Sequence, residues 1–116
     1  MNGRRPKVYV PQEPTRFDKI KQELIPALDL SPALAFGEIV VCLTSASANF
    51  INIAPVTQAL KERMAEFRKE DYLLAVGDPT GIAVAAIIAY KATHGRFQML
   101  KWDRISRQYQ PIEVSV

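Results

Sequence analysis

Gly77-Asp78-Pro79-Thr80-Gly81 is the stretch that most resembles a chemical site, because it joins an apolar run to a helix start. Backbone amides at a helix N-terminus favour an anion such as phosphate. The remainder of a phosphate-binding signature is missing: no Lys-Ser or Lys-Thr follows the glycines, and GxGxxG does not occur. Asp78 would itself repel phosphate and is also explained as a helix cap. A second loop, Thr44 to Asn49, reads TSASAN and follows another apolar run. In an open α/β sheet the loops at the carboxyl ends of strands line the ligand crevice. Thr44, Ser45, Ser47, Asn49, Gly77, Asp78 and Thr80 therefore form a candidate rim for a nucleotide or small anion. The plainer alternative is a hydrophilic loop beside a capped helix.

Covalent and metal chemistry find little support. Cys42 lies inside an apolar strand and reads as an inert core thiol. His94 is the single histidine, and its helix runs away from the rim, so no Ser-His or Cys-His pair is expected. One histidine, one cysteine and scattered carboxylates do not make a metal site. No catalytic residue, metal or cofactor is expected, and the chain reads as a binder rather than an enzyme.

A different constellation is basic and aromatic. Arg16, Phe17, Lys19 and Lys21 form one group; Lys101, Trp102, Arg104, Arg107 and Tyr109, with Arg96 nearby, form another. Such surfaces hold an acidic protein face or single-stranded nucleic acid. The alternative is charge protection of sheet edges with the aromatics packed inward. The two groups belong to one phrase written twice, RFDKIKQELIP from Arg16 and KWDRISRQYQP from Lys101: basic, aromatic, Asp, basic, Ile, then Leu24 or Tyr109, then Pro. Asp at the first position of a turn can bind backbone amides. Both copies therefore read as hairpins, turning at Asp18 and Asp103, with Trp102 and Tyr109 meeting across the second ladder. For residues 16–28 the hairpin is preferred to an amphipathic helix carrying Ile20, Leu24 and Leu28, which Pro26 would break.

These groups need a scaffold. The chain has 116 residues, 48% of them hydrophobic, which suits one domain spanning 1–116 with an ordinary core and a flexible arm over residues 1–6. A net charge of +3 is too mild to imply nucleic acid by itself. The longest apolar run, Thr80 to Ala92, is too short to span a bilayer, so no membrane association is expected. Lys7–Val10, Glu38–Leu43 and Asp71–Gly77 read as strands, the second buried on both faces. Ser31-Pro32 opens a short helix ended by Gly37, Pro55–Arg68 a second, and Asp78-Pro79 a third ended by Gly95. The last helix is rich in alanine and should lie close against the sheet. Arg96–Asp103 and Gln108–Val114 close the chain as a hairpin. The order implies a single-domain α/β sandwich, Rossmann-like, with a mainly parallel central sheet and antiparallel edge hairpins. An exposed edge at Lys7–Val10, or either hairpin, offers a route to a homo-oligomer.

Asp29-Leu30-Ser31-Pro32, Gly37-Glu38, Asp71-Tyr72-Leu73-Leu74, Gly77-Asp78-Pro79, Trp102-Asp103-Arg104 and Tyr109 with Pro111 together resemble a family of small uncharacterised proteins encoded by tailed bacteriophages. The likeness runs from about Lys7 to Val114 and transfers no activity. It implies a phage product working in the host bacterial cytoplasm or packed in the virion. The leading expectation is an accessory protein that binds a host or phage macromolecule, most of all a protein. A nucleotide- or nucleic-acid-binding module and a minor virion component are the alternatives.

Overall fold

The computed structural model describes residues 4–44 and 51–116. Within these residues seven strands and two helices follow in the order β1 (Lys7–Gln12), β2 (Thr15–Asp18), β3 (Glu23–Pro26), β4 (Glu38–Leu43), α1 (Ile53–Arg63), β5 (Tyr72–Leu74), α2 (Pro79–Ala92), β6 (Arg96–Asp103) and β7 (Gln108–Ser115). A 3-10 turn, Ser31–Ala35, precedes β4. Five strands form the main sheet in the order β4-β1-β5-β6-β7, and β2-β3 form a separate hairpin. All neighbours in the main sheet are parallel except β6 and β7.

Alternation along the strands divides the core in two. Tyr9, Cys42, Leu73 and Phe97 point to the face covered by α1 and α2, where Val56, Leu60, Met64 and Phe67 meet them. Val8, Val10, Leu74 and Leu100 point to the opposite face and pack with Leu30, Ala33 and Tyr109. α2 approaches closely because Gly81, Ala85 and Ala89 form its buried stripe. The α/β class, the mostly parallel sheet and the antiparallel hairpins agree with the sequence. The Rossmann-like part of the expectation is not confirmed: among the described residues both helices lie on one face, and the other packs against the 3-10 turn and its flanks.

Several local expectations need correction. Lys7–Val10 is no exposed edge: β1 lies between β4 and β5, because Val8 and Val10 are apolar on one face and Tyr9 on the other. The strand also continues through Pro11, at a level where its β5 partner has already ended pairing at Tyr9↔Leu73. Glu38–Leu43 was the strand expected to be buried on both faces, yet β4 is a sheet edge and only Cys42 and Leu43 are buried. Ser31 does not cap a helix. Asp29 accepts its N–H at 2.9 Å, and five residues between Leu30 and Phe36 suffice only for a 3-10 turn. α1 begins at Ile53 and stops at Arg63, β5 is limited to Tyr72–Leu74, and His94 lies beyond the end of α2 with φ 58°.

At the amino ends of the strands one buried charge is fully partnered. Asp71 accepts hydrogen bonds from Arg4 Nη1 at 2.9 Å and Nη2 at 2.7 Å, from the Lys7 N–H at 2.8 Å and from the Arg68 N–H at 2.9 Å. Burial alone would raise its pKa; the hydrogen bonds from Arg4, Lys7 and Arg68 outweigh that and hold the carboxyl below its usual range. Arg4 is thus tied to the body, while residues 1–3 of the expected arm lie outside the described residues.

Candidate functional site

The preferred hairpin reading holds for both copies of the phrase. β2 pairs with β3 through Phe17↔Leu24 and Asp18↔Glu23; β6 pairs with β7 through the matching Trp102↔Tyr109 and Asp103↔Gln108. Each turn is built by its aspartate. Asp18 Oδ1 accepts the N–H groups of Ile20 at 2.9 Å and Lys21 at 3.2 Å. Asp103 accepts the Ile105 N–H at 3.0 Å and the Ser106 hydroxyl at 2.8 Å, and these bonds hold its carboxyl below the usual carboxylate range. The turns close when the N–H groups of Gln22 and Arg107 reach the carbonyls of Asp18 and Asp103, at 2.7 and 2.8 Å. Gln22 and Arg107 both occupy the left-handed region, with φ 57° and 58°. Ile20 and Ile105, at equivalent positions, are each 94% exposed.

Both hairpins spring from the carboxyl edge of the sheet. The first follows β1 directly, and β6 continues to Asp103 beyond its last pair with β5, Leu74↔Leu100. A cavity of about 720 Å³ opens there, lined by Leu28, Asp29 and Pro32 on one side and by Leu74, Val76, Leu100, Lys101, Trp102, Tyr109 and Ile112 on the other. Tyr109 is 4% exposed and supports Trp102, 42% exposed, through an edge-to-face contact with ring centroids 5.0 Å apart. Burial raises the Tyr109 pKa, and the nearby Asp29 charge adds to the effect. Asp29 is held below its usual range by the Ser31 N–H and hydroxyl.

Of the expected contact residues, Lys101, Trp102 and Tyr109 line this cavity. Arg16 lines a hollow that shares Leu28 and Asp29 with it, and Arg104 lines another that shares Lys101 and Trp102. Phe17 stands exposed on the first hairpin, and Lys19 and Arg107 lie on the turns. Among the described residues none of Arg16, Lys19, Lys101, Arg104 or Arg107 takes part in an ion pair.

The rim is arranged differently. Ser45, Ser47 and Asn49 lie outside the described residues. Thr44, Gly77, Asp78 and Thr80 follow the carboxyl ends of β4 and β5. Gly77 adopts φ 116°, and a Cβ there would stand 2.7 Å from the Gln12 Cβ, so only glycine fits. The Gln12 Oε1 accepts the Asp78 N–H at 2.8 Å, and the Asp78 carboxylate accepts the Thr80 N–H at 2.8 Å. Two of the amides a phosphate would use are therefore occupied, and the Gln12 side chain sits between β1 and β5, where the strand order reverses. Sequence reasoning missed Gln12 because its partners lie 66 positions away.

Cys42 is buried, which pushes its thiol up to about 11 and leaves little thiolate at neutral pH. Among the described residues no cluster of metal-ligating side chains occurs, and no helix is long and apolar enough to cross a membrane.

Comparison with known families gives one finding: residues 6–116 match the family of the Phage Pam3 gp32-like protein. Neither the curated proteins nor the solved structures give a match.

Proposed function

The chain belongs to the Phage Pam3 gp32-like family, and we propose from that premise that it is a phage accessory protein acting by binding a protein of the host or the phage, not by catalysis. One observation carries the reading. The cavity at the carboxyl edge presents a half-exposed Trp102 held against buried Tyr109, with the cations Lys101 and Arg104 beside it, neither of them ion-paired among the described residues. Trp, Tyr and Arg seated in apolar pockets are the residues that dominate protein interfaces.

The test is comparative capture from infected bacteria with the unaltered chain and with Arg104→Glu/Arg107→Glu. Loss of the retained protein from the double variant is the expected result. Retention of every partner by that variant would overturn the reading. The nucleotide alternative has weaker support, because Gln12 and Asp78 already occupy amides at the α2 N-terminus. A role as a minor virion component predicts that the chain copurifies with particles at fixed stoichiometry, which mass spectrometry measures. The working place proposed here is the host cytoplasm.

A further inference from the structure

We infer that the cavity beside Trp102 is a site for a small uncharged molecule, largely apolar and carrying one hydrogen-bonding oxygen. This goes beyond the protein-binding reading, because it assigns the cavity a ligand of its own. Volume is the first argument. At about 720 Å³ the cavity falls within the ~300–1,000 Å³ of pockets that enclose small organic ligands. Leu28, Pro32, Leu74, Val76 and Leu100 border it, and Trp102 adds a half-exposed ring. An ordered water needs about two to four polar partners, and such walls offer few. An apolar body therefore displaces solvent there at little cost.

A buried hydroxyl without a partner is the second argument. Tyr109 is 4% exposed and lines the cavity. Among the described residues its hydroxyl makes no hydrogen bond. No fully enclosed side-chain oxygen or nitrogen of those residues lacks a partner, so this hydroxyl must reach accessible space. Asp29, whose charge acts on it, stands on the cavity wall, which places that space in the cavity. A ligand oxygen there would satisfy the hydroxyl. Charge is not awaited in the same way. Lys101 pairs with Gln110 next to the Trp102–Tyr109 pair, so strand alternation turns its ammonium to the other face of the hairpin. The Asp29 carboxylate opposes an anion. For a cation it is a weak counter-charge, exposed to water and already bonded to Ser31, against the hydration lost among apolar walls.

The experiment screens a fragment library, with equal shares of neutral, anionic and cationic members, against the full chain by NMR. The signal followed is the single indole N–H, since Trp102 is the only tryptophan. Fragments that shift it are expected to be mostly neutral, with an apolar ring system and a hydroxyl, ether or carbonyl oxygen. Nuclear Overhauser contacts should place them against Leu100 and Trp102. Tyr109→Phe, which removes only the hydroxyl, should weaken the best of them about five-fold. Tyr90→Phe, on α2 at the other face of the sheet, should change nothing. No fragment shifting Trp102, hits spread evenly over the three charge classes, or affinities indifferent to Tyr109→Phe would overturn the inference. Protein capture is read separately, through Arg104 and Arg107. If capture survived those charge reversals while neutral fragments still depended on Tyr109, the protein-binding reading alone would fall.

Discussion

The two hairpins are built by the same phrase and differ in what lies beneath them. In the first, Phe17 and Leu24 face each other across the ladder and are 53% and 55% exposed. In the second, the equivalent pair is Trp102 and Tyr109, and Tyr109 is 4% exposed within the core cluster of Val8, Leu74 and Leu100. The turns match to within a few degrees and tenths of an ångström, so the aspartate and the left-handed residue specify them locally. Burial is specified elsewhere. β6 is hydrogen-bonded to β5 and inherits the sheet's core, whereas among the described residues β2 and β3 pair only with each other. An isolated two-stranded hairpin is at best marginally stable, which makes the first copy the adjustable hairpin and the second the fixed one.

The largest contrast is expected from truncating the two matched cross-strand residues. Tyr109→Ala should cost about 3–5 kcal/mol in urea unfolding, as large aromatic deletions in cores do, while Leu24→Ala should cost less than about 0.5 kcal/mol. Equal losses would mean that the first hairpin is packed as firmly as the second. Replacing residues 16–26 by a short Gly-Ser linker is expected to leave the main sheet folded, with a cooperative melt shifted by no more than about 1 kcal/mol. A collapse of near-ultraviolet circular dichroism in that variant would contradict the independence of the hairpin.

The turn aspartates sharpen the comparison further. Asp103→Ala should lower the melting temperature of the whole chain, whereas Asp18→Ala should only speed amide exchange within 15–26 and leave the melt in place. The Asp103 pKa is depressed, first by the Ser106 hydroxyl and then by the Ile105 N–H. Its contribution is therefore complete above the ordinary carboxylate range of about pH 3.9 and is lost as pH falls through the lower folded value. Exchange of the Ile105 amide should accelerate in that acid window, and an acceleration centred near neutral pH would refute the assignment. The smallest effects belong to the left-handed positions. Arg107→Gly and Gln22→Gly each relieve a conformation that costs an ordinary residue about 1 kcal/mol, and a gain in global stability is expected from the first alone.

How much of this could be read from the sequence follows the same division. The hairpins were legible because the Asp18 and Asp103 carboxylates act on residues two and three positions ahead, and their carbonyls on the residue four ahead. The helix opened by Asp78-Pro79 was legible for the same reason, since Asp78 accepts the Thr80 N–H. Strand position was not legible. Lys7–Val10 and Glu38–Leu43 are both apolar runs, and only the crossovers place β1 in the centre and β4 at the edge. The crevice expected at Gly77–Thr80 was misread in its surroundings because Gln12, distant in sequence, fills the space beside it. Tyr109 and Trp102 looked alike as surface aromatics; pairing places them on one face, and β7 gives one of them the core. Arg4 and Asp71, joined across 67 positions, left no local signal at all.

The most direct test of the cavity and the hollow at Arg104 as a binding site is a photo-crosslinking residue at Gln110, which lines that hollow with Lys101 and Arg104 and leaves Trp102 intact. In infected bacteria the account predicts one dominant cross-linked protein, lost when Arg104→Glu and Arg107→Glu are added and absent when the probe is moved to His94 past the far end of α2. The same product from both positions, or none from Gln110, would contradict it.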